Sequence, residues 1–162
     1  MLFVCAANMC RSPTAHGMFR HKLRKRGLEQ QVSVDSADTH NLYTDRPTDE
    51  RSQQCAAQRG CDISDLRARY LQDADFTQAD LILVMDWNNL SLVQQLCPLE
   101  HQVKGHRVME FGRLEGVAIV PDPYRGETKD FEHVLDLPEG ACEGLLRHVR
   151  AVRESASSNG KP

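Results

Sequence analysis

Short apolar runs alternate along this chain with segments of helical periodicity, and this order constrains the fold more than any other feature. Such an alternation predicts an α/β fold of three layers, in which helices cover both faces of a four-stranded parallel sheet. Ligands of such sheets bind beyond the carboxyl ends of the strands. The predicted strands are residues 2–5, Val32 with Val34, 81–85 and 107–111, the predicted helices are residues 13–26, 48–59, 87–96 and 131–152, and residues 117–126 are predicted to form a loop.

Length and composition narrow the class of protein. The 162 residues fit one domain, predicted over residues 1–153, followed by a flexible tail over residues 154–162 that is rich in Ser, Asn and Gly. The 20 Lys and Arg against 23 Asp and Glu give a net charge of −3, which argues against nucleic-acid binding. The longest apolar run, residues 1–7, is much shorter than the roughly 20 residues of a membrane-spanning helix. We therefore expect a cytoplasmic protein with no membrane segment.

The segment after the first predicted strand carries the strongest chemical signal. Residues 5–13 read Cys-Ala-Ala-Asn-Met-Cys-Arg-Ser-Pro and connect an apolar strand to a helix. A loop in this position can point consecutive backbone N–H groups at one oxyanion, at the positive end of the helix dipole. The same field would stabilise a thiolate, which makes Cys5 a candidate nucleophile at neutral pH. The loop residues expected to hold the anion are Ala6, Ala7, Asn8, Met9 and Cys10, together with Ser12.

Two further residues of this segment acquire roles in that interpretation. Arg11 can bind two oxygens of a tetrahedral anion with its planar guanidinium. Ser12 can donate a hydrogen bond to the Cys5 thiolate and so improve it as a leaving group. The structural alternative makes Cys5 a small buried residue and Arg11 a surface residue of a helix. The complete spacing between a strand and a helix favours the chemical interpretation.

These residues resemble the opening motif of the low-molecular-weight protein tyrosine phosphatases, Cys-x-Gly-Asn-x-Cys-Arg-Ser-Pro after a first strand. The resemblance continues to about residue 150. Residues 35–39 are similar to the Ser-Ala-Gly-Thr stretch of that family, and the Asp-Pro-Tyr of residues 122–124 resembles its general-acid loop. The resemblance implies a flavodoxin-like phosphatase fold, hydrolysis of phosphotyrosine in protein substrates, and no cofactor or metal.

The same resemblance assigns roles outside the loop. It implies that Cys5 forms a phosphocysteine and that Asp122 acts first as general acid and then as general base. It also implies that Asn8 and Ser36 form a buried polar pair that supports the loop. The cleft walls are expected to be Leu42, Tyr43 and Tyr124.

Three positions depart from the family pattern. Ala7 stands where the family has Gly, which would strain the loop only if the backbone there were left-handed. Asp38 stands in the place of the Gly of Ser-Ala-Gly-Thr. Leu42 falls where many members have Trp or Tyr, so the aromatic wall is expected to weaken or to pass to Tyr43.

The six cysteines divide into three groups. Cys5 is the candidate nucleophile. For Cys10 two interpretations stay open: a packing residue, or a partner that forms a reversible disulfide with Cys5 under oxidation, as the resemblance suggests. The other four are expected to be buried thiols, and the absence of a Cys-x2-Cys pair argues against a structural zinc site: Cys55, Cys61, Cys97 and Cys142.

The leading hypothesis is therefore a monomeric, cytoplasmic phosphatase of phosphotyrosine proteins. A thiol-dependent arsenate reductase is the second candidate enzyme, because arsenate fits the same loop. A catalytically weak phosphate-binding adaptor is the non-enzyme alternative, motivated by Ala7.

Overall fold

Four parallel strands form the centre of the computed structural model, which describes residues 1–112 and 116–158. They are β1 (Leu2–Cys5), β2 (Asp35–Asp38), β3 (Ile82–Val84) and β4 (Gly105–Arg107), in the spatial order β2-β1-β3-β4. The helices are α1 (Arg11–Lys25), α2 (Glu50–Gln58), α3 (Asp73–Gln78), α4 (Trp87–Leu96) and α5 (Thr128–Ser158), with 3₁₀ turns at Leu99–Lys104 and Val108–Phe111. The predicted α/β class and four-stranded parallel sheet are confirmed.

The helices cover both faces of the sheet because successive side chains of a strand point to opposite sides. Phe3 and Leu83 belong to one apolar cluster, which also contains residues of α1, α2 and α5. Val4 and Val84 belong to a second cluster, with residues of α3 and α4. β1 and β3 are therefore buried on both faces, as their continuous apolar runs predict.

Two strand predictions were wrong in position. The strand next to β1 is Asp35–Asp38, and Val32 and Val34 precede it as partly buried residues packed against the core. Backbone pairing with β1 sets the register of this strand. Most of its side chains are polar, so a hydrophobic pattern does not reveal it. The edge strand is Gly105–Arg107, and residues 108–111 form a 3₁₀ turn that short apolar periodicity does not distinguish from a strand.

One helix was not predicted, and the bounds of another differ by more than two residues from the prediction. Helix α3 was not predicted, because Phe76 is its only buried residue and gives no apolar periodicity. Helix α5 begins at Thr128 rather than residue 131 and continues to Ser158, through residues 154–158 of the predicted tail. Residues 159–162 of that predicted tail lie outside the described residues.

A glycine lets the last helix approach the 3₁₀ turn Val108–Phe111 closely. A Cβ built on Gly144 of α5 would overlap the backbone carbonyl oxygen of Phe111. At Gly140, four residues earlier in the same helix, a Cβ would meet nothing within 4 Å.

We therefore predict opposite effects of two alanine substitutions in α5. Gly144→Ala should lower the free energy of unfolding by about 1–3 kcal/mol, because backbone atoms must shift to admit the methyl group. Gly140→Ala should raise it by about 0.5–1 kcal/mol, because alanine favours the helix over glycine. Urea unfolding of both variants measures the difference, and equal effects would contradict the close approach at Gly144.

Candidate active site

The loop between β1 and α1 lies at the carboxyl end of the central strand. Residues 6–10 connect Cys5 to the first turn of α1, which contains no acidic residue. Asn8 has a φ of 50°, in the left-handed region that Asn tolerates better than most residues. Ala7 is not among the residues with positive φ, so its methyl group brings no backbone strain. The physical motive for an inactive adaptor therefore disappears.

Buried hydrogen bonds hold the conformation of this loop. The Cys5 Sγ lies 3.1 Å from the Ser12 Oγ, and Ser12 donates to the Asn8 Oδ1 at 2.9 Å. The Asn8 Nδ2 in turn donates to the backbone oxygen of Ser36 at 3.0 Å. The two residues expected to support the loop are thus bonded to each other, and Ser12 connects them to the sulfur. When Cys5 loses its proton, the single Ser12 hydroxyl hydrogen can turn from the Asn8 oxygen to the thiolate.

Arg11 is buried and holds three separate elements together. Its Nη1 donates to the Asp86 Oδ2 at 2.5 Å and to the Val120 oxygen at 3.2 Å. Its Nη2 lies 3.3 Å from the Asp122 Oδ2. Burial disfavours the charged guanidinium, but the neighbouring Cys5, Asp86 and Asp122 outweigh that effect and raise the Arg11 pKa.

Asp122 hangs beside this guanidinium on the loop that precedes α5. Its side chain is half exposed, and its Oδ1 accepts the backbone N–H of Tyr124 at 3.1 Å. Arg51 fastens the same loop to α2: its Nη2 donates to the Tyr124 oxygen at 3.1 Å and pairs with the Asp49 Oδ2 at 2.8 Å. The carboxyl group that was predicted from Asp-Pro-Tyr therefore reaches the loop of Cys5 and Arg11.

A cleft of about 180 Å³ lies above the sulfur. All three predicted wall residues, Leu42, Tyr43 and Tyr124, line it. Asn8, Ser12 and Ser36 are buried and lie behind the lining. The other lining residues are Cys5, Ala7, Met9, Cys10, Arg11 and Asp122.

Comparison with known proteins decides the family. Residues 1–156 match the family model described as low molecular weight phosphotyrosine protein phosphatase. The chain belongs to this family. It is 30% identical over 154 residues to the low molecular weight protein-tyrosine-phosphatase YfkJ of Bacillus subtilis, covering 95% of this chain and 97% of that one. It is 36% identical over 149 residues to a relative from Synechocystis whose name is also low molecular weight protein-tyrosine-phosphatase, covering 90% of this chain and 93% of that one.

Solved structures give the same result. A crystal structure of a protein tyrosine phosphatase from Entamoeba histolytica superposes with a TM-score of 0.90 at 31% identity, covering 94% of this chain and 97% of that chain. The crystal structure of YfkJ gives a TM-score of 0.87 at 31% identity, with 93% of each chain covered. The protein is thus a protein-tyrosine phosphatase, a hydrolase, and nothing in these comparisons favours an arsenate reductase or an adaptor.

Two residues of the phosphatase site were not predicted from the sequence. Asp86 lies two residues after β3, at the sheet edge where ligands bind, and also caps α4 by accepting the Asn89 N–H at 2.7 Å. That position was the signal that could have indicated it. Arg51 was missed because its partners Tyr124 and Gly126 lie more than 70 residues away and no local pattern connects them.

Burial controls the charge of two neighbours of the loop. Burial, followed by the nearby Asp49 and Cys5, raises the Cys10 pKa to about 12, so this residue is a neutral thiol at physiological pH. His16 lies 5% exposed in α1, with its Nδ1 3.2 Å from the Ser36 Oγ. Burial, then Arg20, lowers the His16 pKa to about 4, so the imidazole that supports Ser36 is neutral.

We predict that His16 makes the phosphatase sensitive to acid. Its pKa in the folded protein, about 4, lies below the unfolded value of 6.5, so the unfolded state binds the extra proton first as pH falls. Between pH 7 and pH 4.5 this linkage should remove about 2 kcal/mol from the free energy of unfolding.

The control variant is His16→Asn, which keeps a donor near the Ser36 hydroxyl and does not titrate. Urea unfolding at both pH values should show the smaller loss in His16→Asn. Parallel losses in the two proteins would contradict the prediction.

Proposed function

We propose that this phosphatase hydrolyses phosphotyrosine in proteins through a phosphocysteine on Cys5. The observation that carries the proposal is the convergence of Cys5, Arg11 and Asp122 on one cleft at the N-terminus of α1. The roles below follow from that arrangement and from the chemistry of phosphate esters.

In the first step the Cys5 thiolate attacks phosphorus in line with the leaving oxygen. The loop amides and the Arg11 guanidinium bind the other phosphate oxygens and stabilise the charge of the transition state. Asp122 gives its proton to the tyrosyl oxygen as the P–O bond breaks and the S–P bond forms. The products are tyrosine and a phosphocysteine.

In the second step the ionised Asp122 accepts a proton from water while the water oxygen attacks phosphorus. The S–P bond breaks, inorganic phosphate forms, and Cys5 leaves as a thiolate that Ser12 stabilises through their 3.1 Å contact. Asp122 now carries the proton taken from water, so the enzyme can react again once phosphate leaves.

The ion pair between Arg11 and Asp122 connects substrate binding to the protonation of the acid. An arriving phosphate competes with the Asp122 carboxylate for the Arg11 Nη2, which lies 3.3 Å from it. The negative charge of phosphate then favours protonated Asp122, the form that the first step needs. Asp86 keeps the guanidinium in place during this exchange.

Depth favours phosphotyrosine over shorter phosphorylated side chains. Cys5 is only 3% exposed and lies at the base of the cleft, whereas Tyr43 and Tyr124 form its more exposed rim. A phenyl phosphate is long enough to bring phosphorus to the sulfur while its ring contacts these walls. Phosphoserine has a shorter side chain, so its backbone would have to enter the cleft before phosphorus could reach the sulfur.

We also propose an oligomeric state and a cellular compartment for the protein. The protein acts as a cytoplasmic monomer formed by one phosphatase domain over residues 1–153, and it binds neither nucleic acid nor membranes. All six cysteines are free thiols, which fits a reducing compartment. Among the described residues, no helix combines the length and the apolar character needed to cross a membrane.

Hydrolysis of p-nitrophenyl phosphate tests the proposed nucleophile. The wild-type protein should release p-nitrophenolate, and Cys5→Ser should reduce turnover by at least about 10³-fold, because a neutral hydroxyl replaces the thiolate. Cys97→Ser, which removes another buried thiol at the end of α4, is the matched control and should keep activity. Turnover by Cys5→Ser at the wild-type rate would refute the mechanism.

Asp122→Asn tests the proposed acid. Its kcat should fall about 10²–10⁴-fold for phenyl phosphate, whose leaving group needs a proton, and much less for an ester with a good leaving group. Comparison of phenyl and p-nitrophenyl esters measures this difference. An equal reduction for both esters would remove Asp122 from the role of general acid.

A redox role for Cys10 is part of the same proposal. Peroxide oxidises Cys5 to a sulfenic acid. The Cys10 sulfur then attacks the Cys5 sulfur, and the Cys10 proton leaves with the sulfenic hydroxyl as water. An external thiol reduces the resulting disulfide. After peroxide and then dithiothreitol, the wild type and Cys97→Ser should recover most of their activity, whereas Cys10→Ser should recover little. Full recovery by Cys10→Ser would leave Cys10 as a packing residue.

A further inference from the structure

Asp38 is a buried carboxyl group next to the catalytic loop to which the mechanism gives no role. It is the last residue of β2, its register partner in β1 is Cys5, and it is 0% exposed. It also stands where the phosphatase family pattern has a glycine. Burying a carboxyl group costs free energy because burial disfavours its charge, and hydrogen bonds must offset that cost.

The contacts of Asp38 shape the turn that leads to the cleft wall. Its Oδ1 accepts the backbone N–H of His40 at 3.0 Å and that of Asn41 at 2.5 Å. Asn41 has a φ of 53°, so the chain reverses there, directly before Leu42 and Tyr43. The side chain thus supplies the acceptor that fixes this turn, as Asp often does in loops.

Both ends of the same loop are attached to neighbouring chain. At the N-terminal end, the Asp38 N–H donates to the Arg69 oxygen at 2.8 Å and the Asp38 oxygen accepts the Leu71 N–H at 2.9 Å. At the C-terminal end, the Asp45 N–H donates to the Ala68 oxygen at 2.8 Å. Between these ends the Asp38 turn is joined by two further hydrogen bonds, from the Thr44 Oγ1 to the Asn41 Oδ1 at 2.8 Å and from the Arg46 N–H to the Tyr43 oxygen at 2.9 Å.

The turn also touches the catalytic loop itself. The Thr39 N–H donates to the Cys5 oxygen at 3.1 Å, and the His40 Nδ1 lies 3.1 Å from the Ala6 oxygen. The wall and the anion site therefore share one short segment of chain, and Asp38 forms the turn within it.

We propose that Asp38 is a positioning residue that sets the Leu42–Tyr43 wall of the cleft and so determines its affinity for the aromatic ring of the substrate. The proposal rests on the proposed function and adds a residue that acts through the wall, without touching substrate. It explains how the cleft keeps an ordered wall although Leu42 occupies an aromatic position of the family.

The environment of the Asp38 Oδ2 distinguishes this positioning role from a general need for negative charge at residue 38. The Asp38 Oδ2 is buried and has no hydrogen-bond partner among the described residues. Burial raises the Asp38 pKa, against the opposing effect of the two backbone N–H groups. Only Oδ1 makes the turn, so an asparagine, which keeps that oxygen and has no charge, should serve equally well.

Binding of two anions tests the proposal without any need for turnover. Isothermal titration calorimetry compares benzylphosphonate, which has a ring, with inorganic phosphate, which has none, on the full chain. Asp38→Ala should weaken benzylphosphonate binding about fivefold to tenfold, because the ring loses its wall, and should change phosphate binding less than about twofold. Asp38→Asn should match the wild type for both anions.

Three results would overturn the proposal: unchanged benzylphosphonate affinity in Asp38→Ala, an equal loss for both anions, or a loss in Asp38→Asn as large as in Asp38→Ala. If Asp38→Ala does not fold, Asp38→Ser, whose shorter side chain cannot accept both N–H groups, takes its place with the same criteria. In a Leu42→Ala/Tyr43→Ala background, the Asp38 substitution should add less than about a twofold change, because the wall is already absent. A wild type that binds both anions without hydrolysing phosphate esters would refute the proposed function and leave this inference standing.

Discussion

The active site depends on one buried guanidinium. Arg11 is 4% exposed, and a charge at that depth is stable only when partners compensate it. Its partners come from the end of β3, through Asp86, and from the acid loop, through Asp122 and the Val120 oxygen. Because every contact uses the same side chain, one group connects the nucleophile loop, α4 and the acid loop.

Uncharged groups complete the arrangement beneath the sulfur. Ser12, Asn8, Ser36 and His16 form a buried chain of contacts from Cys5 into the body of α1. Such contacts set the shape of the loop before any ligand arrives, and amides that are already aimed at the anion need no reorganisation when charge develops. The positive field comes from fixed dipoles and one cation, which is why a chain of net charge −3 can bind a dianion.

The sequence predicted those parts of the molecule whose determinants are local. The segment from Cys5 to Pro13 lies between an apolar strand and a helix, so its chemistry and its place in the fold could be inferred together. β2 was misplaced because the strand Asp-Ser-Ala-Asp is chosen by backbone pairing with β1 and not by side-chain hydrophobicity. Asp86 and Arg51 were missed as site residues because their partners belong to distant segments. The resemblance to a family supplied Asp122, which the dipeptide Asp-Pro alone would have left as a turn.

The positions of the Arg11 partners along the chain determine when the active site can form during synthesis. During synthesis the N-terminal segment leaves the ribosome first, and its Cys5 and Arg11 precede Asp86 and Asp122 by many residues. A nascent chain that ends before Asp86 has no acidic partner from this network to compensate a buried Arg11. The network around Arg11 can therefore be completed only after Asp122 has been synthesised, more than 100 residues after Cys5, so the phosphate loop is made before the groups that complete its site.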